Sequence, residues 1–159
     1  MRVAKGVTMN ALELCQRHVV TVRRHEELTT AAWMMRERNV GCLVVVEAAG
    51  PMGGERVIGM LTDREIVTAV IARQADPRNM LVKDVMTHHP VTVPANATLD
   101  DALKRMRGAG VRRIPVLDER ERLAGILALD DIFEFMASRP PFVVSPFCRD
   151  RRADHSTGT

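Results

Sequence analysis

His18-Val19-Val20-Thr21-Val22 returns 71 positions further along the chain as His89-Pro90-Val91-Thr92-Val93. The same offset sets Glu13-Leu14-Cys15 on Asp84-Val85-Met86, Leu28 on Leu99, Ala31 on Ala102, Met35 on Met106, Arg36 on Arg107, Val40 on Val111 and Val45 on Val116. Beyond that point the offset falls to 66, so that Gly59 meets Gly125, Leu61 meets Leu127 and Ile66 meets Ile132. The first copy carries its five extra residues in Ala49-Gly50-Pro51-Met52-Gly53-Gly54, and length changes belong in exposed turns. Self-similarity of this kind marks a structural unit used twice.

Each copy reads as the same series of elements. A short extended segment comes first, Val19 to Val22 and then Val91 to Val93. A helix follows, with Leu28, Ala31, Ala32 and Met35 at i, i+3, i+4 and i+7, matched by Leu99, Ala102, Leu103 and Met106. Thr98 is placed to cap the second of these, with Asp101 as its capping-box partner. Asn39 with Gly41, and Gly108 with Gly110, are its candidate stops. Two strands and a turn come next: Cys42 to Val46 with Val57 to Leu61, and Arg113 to Leu117 with Leu123 to Leu127. Leu43-Val44-Val45-Val46 is apolar throughout, which predicts burial on both faces. Pro115 lacks an N–H, so its strand is expected at a sheet edge or facing a cleft. A second helix closes each unit through Asp63, Ile66, Val67 and Val70, and through Leu129, Ile132, Phe133 and Met136. The expected fold is α+β, two β-α-β-β-α units packed by pseudo-twofold symmetry. A unit of this size cannot cover its own sheet well, and two copies can cover each other. The units run over 1–76, with an N-terminal extension, and 77–138, followed by a tail over 139–159. The tail's apolar part, Pro140 to Phe147, is expected to dock on its own globule or on a dimer partner, and its polar end to be disordered.

Composition narrows the function. Apolar residues form 46% of the 159-residue chain, enough for a sizeable core, and charged residues form 27%, which fits a folded soluble protein. Aromatic residues reach only 3%, with one Trp and no Tyr. The core is therefore expected to be aliphatic and Met-rich, and the ring-stacking surface of a nucleic-acid binder is missing. The net charge of +3 is a mild excess that suits an anionic ligand. Three scattered cysteines, Cys15, Cys42 and Cys148, argue against a disulfide framework and point to a reducing cytoplasm. Neither a signal-peptide stretch nor an apolar run of membrane-spanning length is present. His18, His25, His88, His89 and His155 lack HxxxH or HxH spacing, and adjacent His88 and His89 point to opposite sides of an extended chain. No metal site is expected. No nucleophile–base set or phosphate loop appears, so no catalytic residue is assigned and an enzyme is not expected.

Val111-Arg112-Arg113-Ile114-Pro115-Val116-Leu117-Asp118 with the later Gly125-Ile126-Leu127 resembles a CBS domain. So does Val40-Gly41-Cys42-Leu43-Val44-Val45-Val46 with Gly59-Met60-Leu61-Thr62-Asp63-Arg64-Glu65. Val82-Lys83-Asp84-Val85-Met86 is similar to the usual opening of a second such repeat. The resemblance covers about residues 10–138. It implies a CBS pair, or Bateman module: a regulatory unit that usually binds AMP, ADP, ATP or S-adenosylmethionine and often forms a homodimer. With no output domain recognisable in the chain, an effector protein would have to be reached in trans.

Within that family a Gly, two apolar residues, Thr or Ser, two further residues and then Asp bind the ligand's phosphate and ribose. The second repeat ends this pattern with Asp131 and so inherits the ribose role, although Ala128 replaces the hydroxyl. The first repeat keeps the hydroxyl as Thr62 but ends in Glu65, one methylene longer. A carboxylate suits a ribose diol because it accepts both hydroxyl hydrogens. Asp131 is equally well explained as a first-turn acid favoured by the helix dipole, and Thr62 as an N-cap. Arg112, Arg113 and Arg64 are phosphate candidates or solvated surface cations. Gly41, Cys42, Leu43, Ile114 and Pro115 wall the base slots or belong to the core. Val20, Val91 and Thr92 complete the cleft-lining candidates. Two other readings stand beside ligand sensing: a constitutive dimerisation module with empty clefts, and weak nucleic-acid binding through the basic surface.

Overall fold

The computed structural model describes residues 9–138; the tail over 139–159, with its expected docking or disorder, lies outside them. The chain forms α1 (Ala11–Leu14), β1 (Thr21–Arg23), α2 (Leu28–Arg38), β2 (Cys42–Ala48), β3 (Glu55–Thr62) and α3 (Asp63–Ile66). There follow α4 (Val82–Val85), β4 (Thr87–His88), β5 (Val93–Pro94), α5 (Leu99–Ala109), β6 (Arg113–Leu117), β7 (Leu123–Ala128) and α6 (Leu129–Ala137). One sheet runs β1-β2-β3-β4 and the other β5-β6-β7. In each, the first strand lies parallel to the second, and the second and third form an antiparallel hairpin. This is the expected α+β pair of repeats.

The segments that lead into the repeats are exchanged between them. Ala11 and Cys15, from the start of the chain, are buried in the core built on β6, β7, α5 and α6. Val82 and Met86, which precede the second repeat, are buried in the core built on β2, β3 and α2. The backbone repeats this crossing. Gln16 and Ile126 exchange two N–H···O=C bonds of 2.9 Å, while β4 pairs with β3 through Met60–Thr87 and Gly59–His88. Further bridges join Asn10 to Thr98 and Glu27 to Leu81, again equivalent positions in the two copies. The first sheet is thus finished by a strand, and the second by a single two-bond bridge, from the other repeat's leader, which satisfies part of an edge that a single unit leaves open.

Two glycines permit that approach. A Cβ on Gly59 would stand 2.7 Å from Met86 Sδ and 3.0 Å from the Thr87 carbonyl oxygen. On Gly125 it would collide with Cys15 Sγ and stand 2.8 Å from the Gln16 carbonyl oxygen. The core is aliphatic and Met-rich as expected. Leu43, Val44, Val45 and Val46 are buried, and so are Met35, Met60, Met86 and Met106.

Local signals were followed closely. Thr98 accepts the Asp101 N–H at 3.2 Å, though Asp101 takes the Thr98 hydroxyl rather than its N–H. Asn39 and Gly110 end their helices in the left-handed conformation. Three expectations change. The helix through Ile66 and Val67 is short, passing into a π-helical turn at Val67–Ile71. Phe133 and Met136 are 55% and 39% exposed, so α6 does not bury its whole apolar stripe within the described residues. Pro115 lies in β6, the central strand of its sheet, so the edge placement gives way, while its N–H-less side faces the segment before β5 where no rung forms. Its counterpart Val44 donates its N–H to Val20 at 3.1 Å, a bond a proline cannot make. Accordingly β5 first pairs with β6 only at Val93–Val116, one position later than the β1–β2 ladder begins.

Gly125→Ala is expected to cost about 1–3 kcal/mol, because backbone and a buried sulfur must both move. Gly108→Ala, where an added Cβ meets nothing, is expected to stabilise by about 0.5–1 kcal/mol through helix propensity. Urea unfolding of both variants checks this; a Gly125→Ala curve superimposing on wild type would mean that the leader does not sit tightly on β7.

Candidate functional site

The two motif ends lie where a strand runs into a helix. Thr62 ends β3 and caps α3: its hydroxyl accepts the Glu65 N–H at 3.3 Å, and its own N–H donates to Glu65 Oε2 at 2.7 Å. Ala128 stands in the same place before α6, and its N–H donates to Asp131 Oδ2 at 3.3 Å. Equivalent backbone bonds tie these helix starts to the preceding turns, from Asp63 N–H to Gly41 (3.1 Å) and from Leu129 N–H to Arg112 (2.8 Å).

The exchanged leaders supply a partner to each motif carboxylate. Thr87 donates its hydroxyl to Glu65 Oε1. The Gln16 amide donates to both oxygens of Asp131, at 3.1 and 3.3 Å. Glu65 also accepts from the Thr62 N–H and hydroxyl, which leaves it closely held. Asp131 is half-buried, with one contact of ordinary length at 3.1 Å and two longer ones at 3.3 Å. Gln16 and Thr87 were not anticipated as site residues. Each stands one position past the aligned triplets Glu13-Leu14-Cys15 and Asp84-Val85-Met86, so the repeat itself pointed to them.

Pairs of equivalent residues mark the pseudo-twofold axis. Arg56 bridges Arg122 at the hairpin ends of β3 and β7. At the opposite ends Arg113 of β6 acts electrostatically on its counterpart Cys42 of β2. Burial raises the Cys42 thiol pKa above its ordinary value; Arg113 opposes that shift, and Asp63 and Glu65 add to it. Burial likewise raises Cys15. The structure therefore brings Cys42, Thr62, Glu65 and Arg113 to one neighbourhood.

The remaining candidates are placed as follows. Arg112 is ion-paired with Asp130 at 2.9 Å on the surface. Among the described residues, the Arg113 and Arg64 guanidinium groups hold no hydrogen bond or ion pair. Leu43 and Ile114 are fully buried in the two cores, and Pro115 is buried beside Ile114. Gly41 and Val20 are half-buried. Val91 is exposed, and the Thr92 carbonyl accepts from Arg105 at 3.0 Å.

Three surface grooves are lined by none of these candidates. The largest, about 880 Å³, lies between the start of the chain, the end of β5 and the β6–β7 turn, with Asp118 and Arg122 on its wall. The Arg122 N–H and guanidinium hold the Asp118 carboxyl below its usual range. A neighbouring groove of about 420 Å³ lies over the N-terminal turn of α5. A third, about 460 Å³, includes Arg24, Glu47, Arg56, His88 and His89. The two histidines, expected to diverge, line the same groove because His89 adopts φ 47° and breaks the strand alternation. No group of three or more His, Cys, Asp or Glu among the described residues is arranged to hold a metal ion. No helix among them is long and apolar enough to cross a membrane.

Two sheets of common topology, exchanged leaders and a strand-to-helix motif in duplicate define a tandem regulatory module. Residues 11–72 and 82–138 match the CBS domain, and the chain belongs to that family. It is 37% identical to hypoxic response protein 1 of Mycobacterium tuberculosis over 124 residues, 77% of this chain and 81% of that protein. It is 30% identical to the uncharacterized protein MK0525 of Methanopyrus kandleri over 77% of this chain, and spans only 60% of that protein's length. Among solved structures, hypoxic response protein I with two coordinated zinc ions matches at TM-score 0.68 and 35% identity, covering 79% of this chain and 98% of that one. The CBS-domain protein ATU1752 from Agrobacterium tumefaciens matches at TM-score 0.69 and 30% identity, covering 80% and 98%.

Replacing Arg113 by Ala removes the charge that favours the Cys42 thiolate. The Cys42 pKa is then expected to rise further, and alkylation by iodoacetamide at pH 8 to slow roughly two- to fivefold, as befits one screened charge. Peptide-resolved mass spectrometry reads this out for Cys42 separately from Cys15; an unchanged Cys42 rate would separate the two residues.

Proposed function

We propose that this CBS pair is a non-catalytic cytoplasmic sensor that binds an adenine nucleotide or adenosyl ligand between its repeats. AMP, ADP, ATP and S-adenosylmethionine are the ligand candidates. In this reading the Asp131 carboxylate holds the ribose diol, and Arg113, with Arg64, meets the phosphates. The observation that carries it is a half-buried carboxylate at the start of α6 on a module where the Arg113 guanidinium, near Cys42, is uncommitted among the described residues. Gln16 then acts as a stand-in donor that the diol displaces from Asp131. The base would lie against Val20, Val91, Thr92, Gly41, Cys42 and the backbone that covers Leu43, Ile114 and Pro115. Thr62 and Glu65 form the more closed equivalent site.

As sequence units the repeats run over 1–76 and 77–138, and binding would shift their relative angle. A homodimer passes that shift to an effector protein in trans. The hexameric CBS-CP12 protein of bloom-forming cyanobacteria, at TM-score 0.71 and 25% identity, is a relative of this fold that assembles. The zinc of hypoxic response protein I belongs to that protein, and this reading assigns none to the present chain.

One observation favours a second reading. Asp131 and Glu65 both already have internal donors, which suits a constitutive dimerisation module with no ligand.

Thermal melting with AMP, ADP, ATP, NADH and S-adenosylmethionine separates the two. A true ligand raises Tm by mass action. Asp131→Ala is expected to weaken it about ten- to hundredfold, the value of a charge-assisted hydrogen bond of about 1.5–3 kcal/mol. Absence of any shift across the panel favours the constitutive module. A steep loss of binding with salt would instead indicate nucleic-acid-like surface attraction.

A further inference from the structure

We propose that the groove at the hairpin end of the first sheet is a binding site for a phosphate-type oxyanion, gripped by Arg24, Arg56, His88 and His89. It is separate from the cleft discussed above and does not rest on that reading. The groove holds about 460 Å³, room for inorganic phosphate or a small phosphate monoester.

Arg24 is the leading observation. It follows β1, and its Nε is buried without a hydrogen-bond partner among the described residues. A buried donor on a charged group is costly to leave unmade, and among the described residues the Arg24 guanidinium that lines the groove has no hydrogen-bond or ion-pair partner to offset that cost. The single carboxylate in the groove cannot serve. Glu47 is taken by Arg56 through two nitrogens, and that contact holds its carboxyl below the usual range. Arg24 contributes to the same lowering through space, without a hydrogen bond.

The pseudo-symmetry separates what the fold needs from what is added here. The Glu47–Arg56 pair has its counterpart in Asp118–Arg122, so that pair belongs to the hairpin design. Arg24 falls on Ala95, which lines the groove of the second repeat and brings no charge. The guanidinium is therefore an addition of the first repeat. His88 and His89 face the same space because of the left-handed turn at His89. Two guanidinium groups, one of them partly committed to Glu47, and two imidazoles, each with an N–H to donate, line a groove with one neutralised acid. A tetrahedral oxyanion accepts from several such donors at once.

The test titrates inorganic phosphate, glycerol 1-phosphate and AMP into the full chain at constant ionic strength, with chloride as the reference anion. It follows the imidazole resonances of His88 and His89, and Tm. Saturable shifts of both imidazoles and a rise in Tm with inorganic phosphate are expected. Stronger binding of glycerol 1-phosphate would name a phosphate ester as the natural form, while both remain oxyanion binding at this groove. Arg24→Met keeps the buried stem and is expected to weaken phosphate by about tenfold or more, with Asp131→Ala leaving it unchanged. Shifts no larger than those of chloride would overturn the proposal, as would an Arg24→Met protein that binds like wild type. A response seen only with AMP and abolished by Asp131→Ala would move the anion to the other cleft and overturn it too. So would histidine resonances that respond to zinc and never to phosphate. Should Arg24→Met fail to fold, the wild-type imidazole titration against chloride still decides the matter.

Discussion

Two backbone pairs hold this protein in its form: Gln16 with Ile126, and Thr87 with Met60. Through them each sheet is completed by the leader of the other repeat. The close approach is possible because Gly125 and Gly59 carry no Cβ at the contact. Side chains reinforce the crossing, since Cys15 and Met86 fill the cores beneath those glycines. A repeat of this size cannot cover a sheet alone, and the exchange of leaders makes the covering mutual. Any change in the angle between the repeats has to work against these pairs.

The same crossing sets the chemistry at the motif ends. Because the leader strand passes directly beside the start of each closing helix, its polar side chain reaches the motif carboxylate. Glu65, longer by one methylene, meets Thr87 and its own cap and is closely held. Asp131, shorter, receives one ordinary bond from Gln16 and longer ones from Gln16 and the Ala128 N–H. Equivalent backbones thus carry one closed and one more available carboxylate. The replacement of Val44 by Pro115 adds to this inequality by removing one rung between the parallel strands. Arg24 against Ala95 is a third departure from symmetry, at the opposite end of the sheets.

Much of the fold was legible in the chain because its signals are local. Thr62 and Thr98 cap helices through hydroxyls that reach only three residues ahead. Asn39 and Gly110 end helices because they tolerate the left-handed conformation. The unbroken run Leu43 to Val46 reads as a doubly covered strand, and it is one. Less could be read where two distant segments meet. Gln16 and Thr87 look like ordinary polar residues until the leaders cross. Phe133 and Met136 fit a core stripe by spacing, yet among the described residues they stay exposed. His88 and His89 diverge on an ideal strand and converge only because one residue turns.

The sequence by itself determined the repeat, the order of its elements, their caps and the apolar runs that build two cores, since these depend on spacing and on bonds within a few residues. Only the tertiary structure decided which core each leader enters, which donors reach Asp131 and Glu65, and that Arg24 has an unmet buried nitrogen among the described residues. Those outcomes depend on contacts between residues up to 115 positions apart, as in the Gln16–Asp131 bond, and no local preference encodes them.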